Sequence, residues 1–422
     1  MNSYDSDRIL ESLSLTHEKV EKPENADLII LNTCHIRERA AEKIYSEIGK
    51  LSKLKRENKN LKLVVAGCVA QAEGSAMISR QPNIDAVIGP QMYHDFSNLL
   101  NEKKKSERIK LNFENIKKFQ NYKNKRMLSS VSSFVTVQEG CDKFCSFCVV
   151  PFTRGAENSR NLEEIIKEVE DLSLLGCKEI ILLGQNVNAY HGLHSKNNEA
   201  DLSQLIYEIE KINGIERISY TTSHPVDMKE SLMLLHGSSR KLNPYLHLPV
   251  QSGSNRILKM MNRKYSTKEY VDIIEKIRKS RPDIALSSDF IVGYPGETKE
   301  DFRKTIDLVK FIEFSQSYSF KYSARPGTKA SRSDSVLCTK ESSDRLYELQ
   351  DLLKSQQKKF NKQFLGKQVK VLCKGKGKKE GQLRGTTQWM QVVNFKGKKV
   401  KSPIVNVKIS RVTDNSLLGE AV

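Results

Sequence analysis

Long apolar runs are missing from this chain of 422 residues. A membrane-spanning helix needs roughly 20 consecutive apolar residues, and no stretch of the sequence approaches that length. Residues 1–10 also contain neither a basic region nor an apolar run, so we expect no signal peptide. Together these absences argue against a membrane protein and against a secreted one.

Acidic residues are scarce relative to basic ones. The chain carries 51 Asp and Glu against 70 Lys and Arg, which gives a formal net charge of +19. Lys and Arg that neutralise phosphates release counterions, so this excess favours a nucleic-acid partner. A Lys-rich solvated surface would give the same count, and charge alone leaves the two interpretations open.

Cysteines are few and mostly scattered, with eight in the whole chain. Such a distribution does not resemble the disulfide framework of a secreted domain, so we expect a reducing, cytoplasmic compartment. One segment differs from this background. In GCDKFCSFC the three residues Cys141, Cys145 and Cys148 follow the spacing Cys-x3-Cys-x2-Cys.

This cysteine triplet supplies three thiolates and no fourth. Iron–sulfur clusters are held by cysteine thiolates, and a 4Fe-4S cluster with three of them keeps one iron open. On a helix the outer two cysteines would be roughly 10 Å apart, so shared ligation requires a loop. Residues 133–137 read as a strand that Gly140 ends, which provides one. Zinc, which usually takes four ligands, and a core stripe of small residues are the alternatives; we predict the cluster.

The first hundred residues alternate strand and helix patterns. Apolar runs at 28–31, 63–66 and 86–88 are separated by helical patterns, which predicts a parallel α/β sheet covered on both faces. A Lys-rich stretch over 102–126 then reads as a linker or a basic arm.

The second region repeats strand and helix six times, which predicts an incomplete (β/α) barrel with active groups at the C-terminal ends of its strands. A capping box is expected where Thr298 precedes Asp301 by three residues. The predicted strands are 134–137, 180–183, 218–222, 245–248, 284–292 and 317–322.

From about residue 360 the pattern changes to short alternating strands, at 368–373, 391–394 and 405–409, among Gly- and Lys-rich turns. This is typical of a small β-barrel of oligonucleotide-binding type. Trp389, the only tryptophan, could stack on a base or pack in the core. Residues 374–379 are either a phosphate contact or a solvated hairpin.

Around the triplet, GCDKFCSFCVVPFTRGAENSR resembles the cluster loop of the radical S-adenosylmethionine (SAM) methylthiotransferases. The resemblance covers essentially the whole chain. Further matching segments follow in order: NTCHIRERAAEKIY, VAGCVAQAEG, LLGQNVNAY, YTTSHP, HLPVQSGSNRIL, DFIVGYPGET and YSARPGT. The first of these is most similar to the tRNA branch, which attaches methylthio groups to N(6)-dimethylallyladenosine at position 37 of tRNA.

The resemblance implies a domain organisation of a multidomain α/β protein. A flavodoxin-like N-terminal domain would span 1–104, a basic linker 105–126, a partial (β/α)6 radical SAM barrel 127–357, and an RNA-binding TRAM β-barrel 360–422.

It also implies SAM and two 4Fe-4S clusters as cofactors, with the auxiliary cluster in doubt because this chain lacks one of its three cysteine ligands. Cys141, Cys145 and Cys148 would be the catalytic cluster ligands, with SAM on the open iron. Gly184, Gln185 and Asn186 match the turn that meets the methionine end of SAM. Two alternatives are open for the loop arginines Arg154 and Arg160. They could contact SAM, or they could form only salt bridges within the loop.

The auxiliary cluster of the family uses three cysteines, of which two match Cys34 and Cys68. The third precedes a Met-Asn pair, and here the numbering begins at Met1-Asn2. We therefore expect Met1 to be an internal methionine, with a further cysteine and strand upstream. Cys177, Cys338 and Cys373 match no ligand position and are expected to be packing residues.

The implied partners are tRNA, an electron donor protein and a sulfur donor, with a monomeric enzyme and no membrane. Two sister branches are alternatives: one modifies threonylcarbamoyl-adenosine in tRNA and the other an aspartate of a ribosomal protein. An RNA-binding protein defective in sulfur insertion is an alternative of a different class.

Overall fold

The computed structural model describes residues 1–34, 38–101, 108–113, 130–194, 198–333, 335, 338–397 and 402–422. The chain forms two compact units. The first comprises Met1–Met127, Glu139–Phe144 and Cys148–Arg160, and the second comprises Leu128–Gln138, Cys145–Phe147 and Asn161–Val422. The segment that carries the cysteine triplet therefore contributes residues to both units.

The first unit contains a four-stranded parallel sheet in the order β1-β2-β3-β4. Strand β2 (Lys62–Gly67) is buried on both faces. Val64 and Ala66 pack into one apolar cluster, and Leu63 and Val65 pack into another. This confirms the predicted α/β sheet covered on both sides. Its elements are α1 (Asn2–Leu13), β1 (Leu28–Thr33), α2 (Glu38–Glu57), β2 (Lys62–Gly67), α3 (Cys68–Glu73), α4 (Ser75–Arg80), β3 (Ala86–Ile88), α5 (Phe96–Asn101) and β4 (Ile109–Lys110).

The shortest strand of this sheet, β4, lies within the stretch predicted as a linker. It pairs in parallel with β3, where Val87 is opposite Ile109. Two residues are too few to show a periodicity, so the sequence pattern did not reveal this strand. The other linker residues, apart from 108 and 111–113, lie outside the described part of the chain.

The second unit contains the predicted partial barrel. Six strands form two parallel three-stranded sheets, in the orders β5-β8-β11 and β12-β13-β14, and a parallel bridge joins Ile218 to Leu242. The predicted strands are each within two residues of the observed ones. From the end of the first sheet onward the elements are β5 (Ser132–Thr136), β6 (Gln138–Glu139), α6 (Val150–Arg154), β7 (Asn158–Ser159), α7 (Leu162–Leu174), β8 (Glu179–Leu183), β9 (His191–Leu193), β10 (Glu199–Asp201), α8 (Leu202–Glu210), β11 (Arg217–Thr221), α9 (Glu230–Ser238), β12 (Tyr245–His247), α10 (Asn255–Met260), α11 (Thr267–Ser280), β13 (Ala285–Val292), α12 (Lys299–Ile312), β14 (Gln316–Lys321) and α13 (Thr339–Lys362).

The helices follow from local sequence. In α7 the residues Leu162, Ile165, Val169 and Leu172 recur on one face and are all buried in the barrel core. The predicted capping box at α12 is present, since the Asp301 amide donates to Thr298 Oγ1 at 3.2 Å. Such a box satisfies backbone donors that the first turn leaves unpaired.

The C-terminal part of the second unit is a closed five-stranded barrel in the order β15-β16-β17-β19-β18. Its core includes Phe364, Val371 and Phe395. The predicted small β-barrel is thus confirmed, although two of its strands, β16 and β19, were not predicted. The strands are β15 (Gln368–Lys376), β16 (Gln382–Thr386), β17 (Val392–Lys396), β18 (Ile404–Val412) and β19 (Leu417–Ala421).

Trp389 is a packing residue in this barrel. Its ring lies against Phe364 with centroids 5.1 Å apart, and its Nε1 donates to the Asp283 carbonyl oxygen at 2.9 Å. With the indole N–H already paired to backbone, the structure supports core packing rather than base stacking.

None of the described helices combines the length and the apolar character that crossing a membrane would require.

Candidate active site and cysteine centres

The cysteine triplet lies between β6 and α6, where the chain has no regular helix or strand. Cys141, Cys145 and Cys148 form no disulfide within the described part of the chain, and each is partly exposed. Gly140 has φ +73°, and a Cβ there would lie 1.9 Å from the Ala156 carbonyl oxygen. The turn that starts the predicted loop therefore depends on glycine.

A single metal ion and a cluster place different demands on the donor set. Zinc ligands all lie about 2.0–2.3 Å from one ion, so they must converge on one point. Within the described ranges no group of three His, Cys, Asp or Glu side chains converges in that way. In a cubane, separate irons receive the separate thiolates, and three partly exposed cysteines in a loop are compatible with that demand.

A buried arginine contacts the middle cysteine of the triplet. Arg263 is 8% exposed, and its Nη1 lies 3.4 Å from Cys145 Sγ. Its Nε donates to Tyr265 Oη at 3.0 Å and its Nη2 to the Pro249 carbonyl oxygen at 2.7 Å. Burial alone would lower the pKa of Arg263, but Tyr265 and Cys145 raise that pKa above the usual arginine value. The guanidinium is therefore charged.

The turn after β8 brings Gly184, Gln185 and Asn186 to the C-terminal end of the barrel. The Asn186 amide donates to Gln138 Oε1 at 3.1 Å, and its Nδ2 donates to Asp227 Oδ2 at 2.7 Å. A Cβ at Gly184 would lie 2.6 Å from Gln138 Oε1, so this packing requires glycine.

The remaining Asn186 atom is the informative one. Asn186 Oδ1 is buried and has no hydrogen-bond partner among the described residues. Because a buried carbonyl without a partner is costly, an N–H donor from a ligand would stabilise it. This arrangement fits the amino group of an amino-acid-like cofactor.

Sequence reasoning missed a polar cluster inside the barrel. His247 Nδ1 lies 2.9 Å from Ser287 Oγ, and His247 Nε2 lies 3.5 Å from Asp289 Oδ2. Tyr318 is opposite Asp289 in the strand register, packs edge-on to His247 and is 42% exposed. The polar run Ser287-Ser288-Asp289 within an otherwise apolar strand was the signal that could have revealed this polar cluster.

The first unit brings Cys34 and Cys68 to one edge of its sheet. They directly follow Thr33 and Gly67, which are register partners in β1 and β2. Gly67 has φ +95°, and a Cβ there would lie 2.3 Å from the Thr33 carbonyl oxygen. The strands can therefore end side by side only because residue 67 is glycine, and ligands of open α/β sheets bind at such edges.

Arg154 connects Cys68 to a buried ionic network within this unit. Its Nη2 lies 2.6 Å from Asp5 Oδ2, its Nη1 3.2 Å from Glu139 Oε1 and its Nε 3.4 Å from Cys68 Sγ. Gln91 Nε2 donates to Glu139 Oε2 at 3.0 Å. Burial would lower the pKa of Arg154, yet Asp5, Cys68 and Glu139 raise it well above its usual value.

The other three cysteines lie apart from these centres. Cys177 is buried, donates to the Glu179 carbonyl oxygen at 3.2 Å and has its pKa raised by burial. Cys373 packs against the core of the C-terminal barrel. Cys338 is exposed and caps α13 by accepting from the Glu341 amide, so its prediction as a packing residue was wrong.

Comparison with known families defines the class. A model described as the radical SAM superfamily matches residues 135–309, one described as uncharacterized protein family UPF0004 matches 1–89, and the TRAM domain model matches 362–422. The barrel and its three-cysteine loop therefore define a radical SAM protein.

Solved structures agree with this fold. The radical S-adenosylmethionine methyltransferase TsrM from Kitasatospora setae, with cobalamin and a 4Fe-4S cluster bound, aligns with a TM-score of 0.59 over 78% of this chain and 74% of that chain, at 13% identity. The cobalamin-dependent S-adenosylmethionine radical enzyme OxsB aligns at 0.52 over 83% of this chain and 53% of its own, at 14% identity. At such identities the likeness concerns the fold.

Curated relatives are much more similar. Proteins called tRNA-2-methylthio-N(6)-dimethylallyladenosine synthase share 49% identity in Jannaschia sp. (strain CCS1), over 100% of this chain and 92% of the relative. The Ehrlichia ruminantium (strain Welgevonden) protein shares 51%, over 99% and 96%, and the Rickettsia bellii (strain RML369-C) protein 50%, over 100% and 96%. The chain belongs to the family of tRNA-2-methylthio-N(6)-dimethylallyladenosine synthases.

Proposed function

We propose that this protein converts N(6)-dimethylallyladenosine at position 37 of tRNA to its 2-methylthio derivative, by radical SAM insertion of sulfur at carbon 2 of the adenine. The observation that carries the proposal is the 49–51% identity to relatives of that name over almost the whole of both chains.

We assign the catalytic cluster to Cys141, Cys145 and Cys148, with SAM on the iron that they leave open. When bound, the cluster and SAM supply a one-electron reductive cleavage of SAM, which is the chemistry of the cofactors themselves. Asn186 Oδ1, which is buried without a hydrogen-bond partner among the described residues, would accept a hydrogen bond from the SAM amino group. Gln138 and Asp227 hold Asn186 in that orientation through hydrogen bonds. Gly184, which has no side chain, leaves room for the Gln138 side chain.

The polar cluster of the barrel interior positions the nucleobase in this proposal. Tyr318 offers an exposed ring and a hydroxyl, and His247 is oriented by Ser287 and Asp289. An adenine edge carries ring nitrogens that accept hydrogen bonds on both sides of carbon 2. Donors from this cluster would therefore fix which carbon faces the reacting groups.

We assign Cys34 and Cys68, whose backbones end neighbouring strands, as two of the three cysteine ligands that the family's auxiliary 4Fe-4S cluster uses. It would carry the sulfur to be transferred, so the enzyme would need both an electron donor protein and a sulfur donor. We propose a monomer that works in the cytoplasm, where free cysteines of this kind stay reduced.

The C-terminal barrel would bind tRNA, within a domain organisation of 1–104, a linker at 105–126, 127–357 and 360–422. Lys374 already pairs with the fully buried Glu179 at 2.7 Å, so it supports docking of this barrel on the partial barrel. Lys376, Lys378 and Lys379 are exposed on the β15–β16 hairpin and suit phosphate contacts.

The test is nucleoside analysis of tRNA from a strain that lacks this gene, with and without complementation. The expected result is accumulation of dimethylallyladenosine in the deletion strain and its 2-methylthio derivative on complementation, but not with Cys145→Ala. A deletion strain with unchanged dimethylallyladenosine but missing methylthio-threonylcarbamoyl-adenosine would contradict the proposed substrate. No change in any tRNA nucleoside would contradict the proposed class of substrate.

A further inference from the structure

Arg263 is a buried cation without a carboxylate partner. Three other buried arginines, Arg8, Arg154 and Arg345, each reach a carboxylate at 3.2 Å or less. In the described part of the chain no Asp or Glu lies within ion-pair distance of Arg263, whose contacts are Cys145, Tyr265 and the Pro249 carbonyl. A charge buried in this way is costly unless something anionic compensates it.

The guanidinium is also held in one orientation. Nε and Nη2 are occupied by Tyr265 Oη and the Pro249 carbonyl, and Tyr265 Oη itself donates to the Val250 carbonyl oxygen at 2.7 Å. These acceptors belong to the segment that follows β12 and to the residues after α10. Only Nη1 is left, and it is directed at Cys145 Sγ.

We propose that Arg263 is the counter-ion of the 4Fe-4S cluster carried by the triplet and that it raises the reduction potential of this cluster. The inference rests on the proposed function, because it requires that cluster. A cubane held by three thiolates is anionic, and one-electron reduction adds a further negative charge. A fixed cation therefore stabilises the reduced state more than the oxidised state.

In this proposal Arg263 is not a catalytic residue, because it contacts a cysteine ligand of the cluster rather than the reacting atoms. It acts on the cluster through its charge. The charge rather than the side-chain volume carries the effect. Neutral replacements should therefore lower the potential whether or not they keep a hydrogen bond, and a cationic replacement should retain most of it.

The experiment is an anaerobic redox titration of the full-length protein in a Cys34→Ala/Cys68→Ala background, which isolates the triplet cluster. Arg263→Met, Arg263→Gln and Arg263→Lys are compared with the parent by electron paramagnetic resonance. Arg217→Met is the matched control: Arg217 is 5% exposed and donates to the Thr386 and Lys370 carbonyl oxygens rather than to a cysteine.

We expect both neutral variants to shift the reduction equilibrium about tenfold toward the oxidised state, or ~59 mV for a one-electron couple. Arg263→Lys should shift it less, and Arg217→Met should not shift it. Neutral variants that fold but lose iron, while Arg263→Lys and Arg217→Met keep it, would equally support the counter-ion. If Arg263→Met does not fold, Arg263→Gln decides by the same measurement, because its amide nitrogen corresponds in position to Arg263 Nε, which donates to Tyr265 Oη.

Neutral variants with full iron and the parental potential would overturn the inference and leave the proposed function intact. A parent protein that binds no 4Fe-4S cluster at the triplet would instead overturn the proposed function, and the inference with it.

Discussion

The two units of this protein each place an arginine N–H 3.4 Å from a cysteine sulfur, but in different electrostatic surroundings. In the first unit Arg154 contacts Cys68 and is also paired with Asp5 and Glu139. In the second, Arg263 contacts Cys145 with no carboxylate beside it among the described residues. The same contact is thus part of a compensated network in one place and an uncompensated charge in the other.

This difference indicates different roles for the two arginines: Arg154 stabilises the fold of its unit, and Arg263 acts on the triplet. Removing Arg154 would take the cationic partner away from two buried carboxylates, so its charge is needed for the folded state of its own unit. Removing Arg263 would take a hydrogen-bond donor from a phenol, a carbonyl and a thiol, but would take no ion-pair partner from a carboxylate among the described residues. Its charge is therefore available to act on whatever anion the triplet carries, and the contrast can be tested from both sides.

The largest expected effect is on the triplet itself. Cys145→Ala should abolish production of 5′-deoxyadenosine from SAM, since a cubane left with two protein thiolates should be lost or labile. Cys68→Ala should still cleave SAM while failing to methylthiolate tRNA. Chromatographic quantitation of 5′-deoxyadenosine checks both. Normal production by Cys145→Ala would refute the assignment of the cluster ligands.

The next effect concerns stability and distinguishes the two arginines. Arg154→Met should reduce the free energy of opening of β1 and β2 by about 3–5 kcal/mol, because buried carboxylates lose their partner. Hydrogen exchange of the amides in these strands measures this locally, which suits a protein of several domains.

The control for that comparison is a triple variant. Asp5→Asn and Glu139→Gln, added to Arg154→Met, remove the stranded charges and should restore part of the protection. Arg263→Met should destabilise its surroundings less than Arg154→Met does. Equal losses for the two arginines would mean that the carboxylates do not make the difference.

A smaller effect is expected from glycines at the two centres. Gly67→Ala should destabilise the first unit by about 1–3 kcal/mol and lower the iron bound at Cys34 and Cys68, because its Cβ would meet the Thr33 carbonyl at 2.3 Å. Gly140→Ala should affect the triplet instead. Iron quantitation in backgrounds that lack one set of cysteines separates the two.

Gly49→Ala serves as the matched control. Gly49 lies in α2, and a Cβ there meets nothing within 4 Å. It should be neutral or stabilising by about 1 kcal/mol, since alanine favours helix. Loss of iron in Gly49→Ala would show that the first unit tolerates no substitution, rather than that Gly67 has a special role.

The smallest effect should come from the β15–β16 hairpin and should touch neither cysteine centre. Lys378→Gln/Lys379→Gln should make tRNA binding less dependent on salt, because fewer phosphates are neutralised. The slope of the logarithm of the association constant against the logarithm of the salt concentration should decrease in magnitude by roughly 1–2. The exposed pair Lys268→Gln/Lys276→Gln on α11 makes the same charge change as a control. Equal slopes in both double variants would remove the hairpin from the RNA interface.

Local patterns predicted much of this fold. The apolar run of β2, the α7 stripe and the Thr298–Asp301 capping box all depend on residues close in sequence, where strand and helix periods apply. Strand β4 was not predicted, because two residues are too few to show the alternation of a strand. The sequence left two roles open for Trp389, base stacking and core packing, because the packing depends on Phe364 and on the Asp283 carbonyl, which adjoin it only in the folded chain.

The candidate site divides in the same way. Cysteine spacing by itself predicts the triplet as the ligands of a cluster with an open iron, since three thiolates in eight residues constrain ligation whatever surrounds them. Only the tertiary structure decided which charges face the sulfurs. Arg154 meets Asp5 across 149 residues and Arg263 meets Cys145 across 118. Such pairings follow from strand register and packing, and they cannot be predicted from the spacing of residues along the chain.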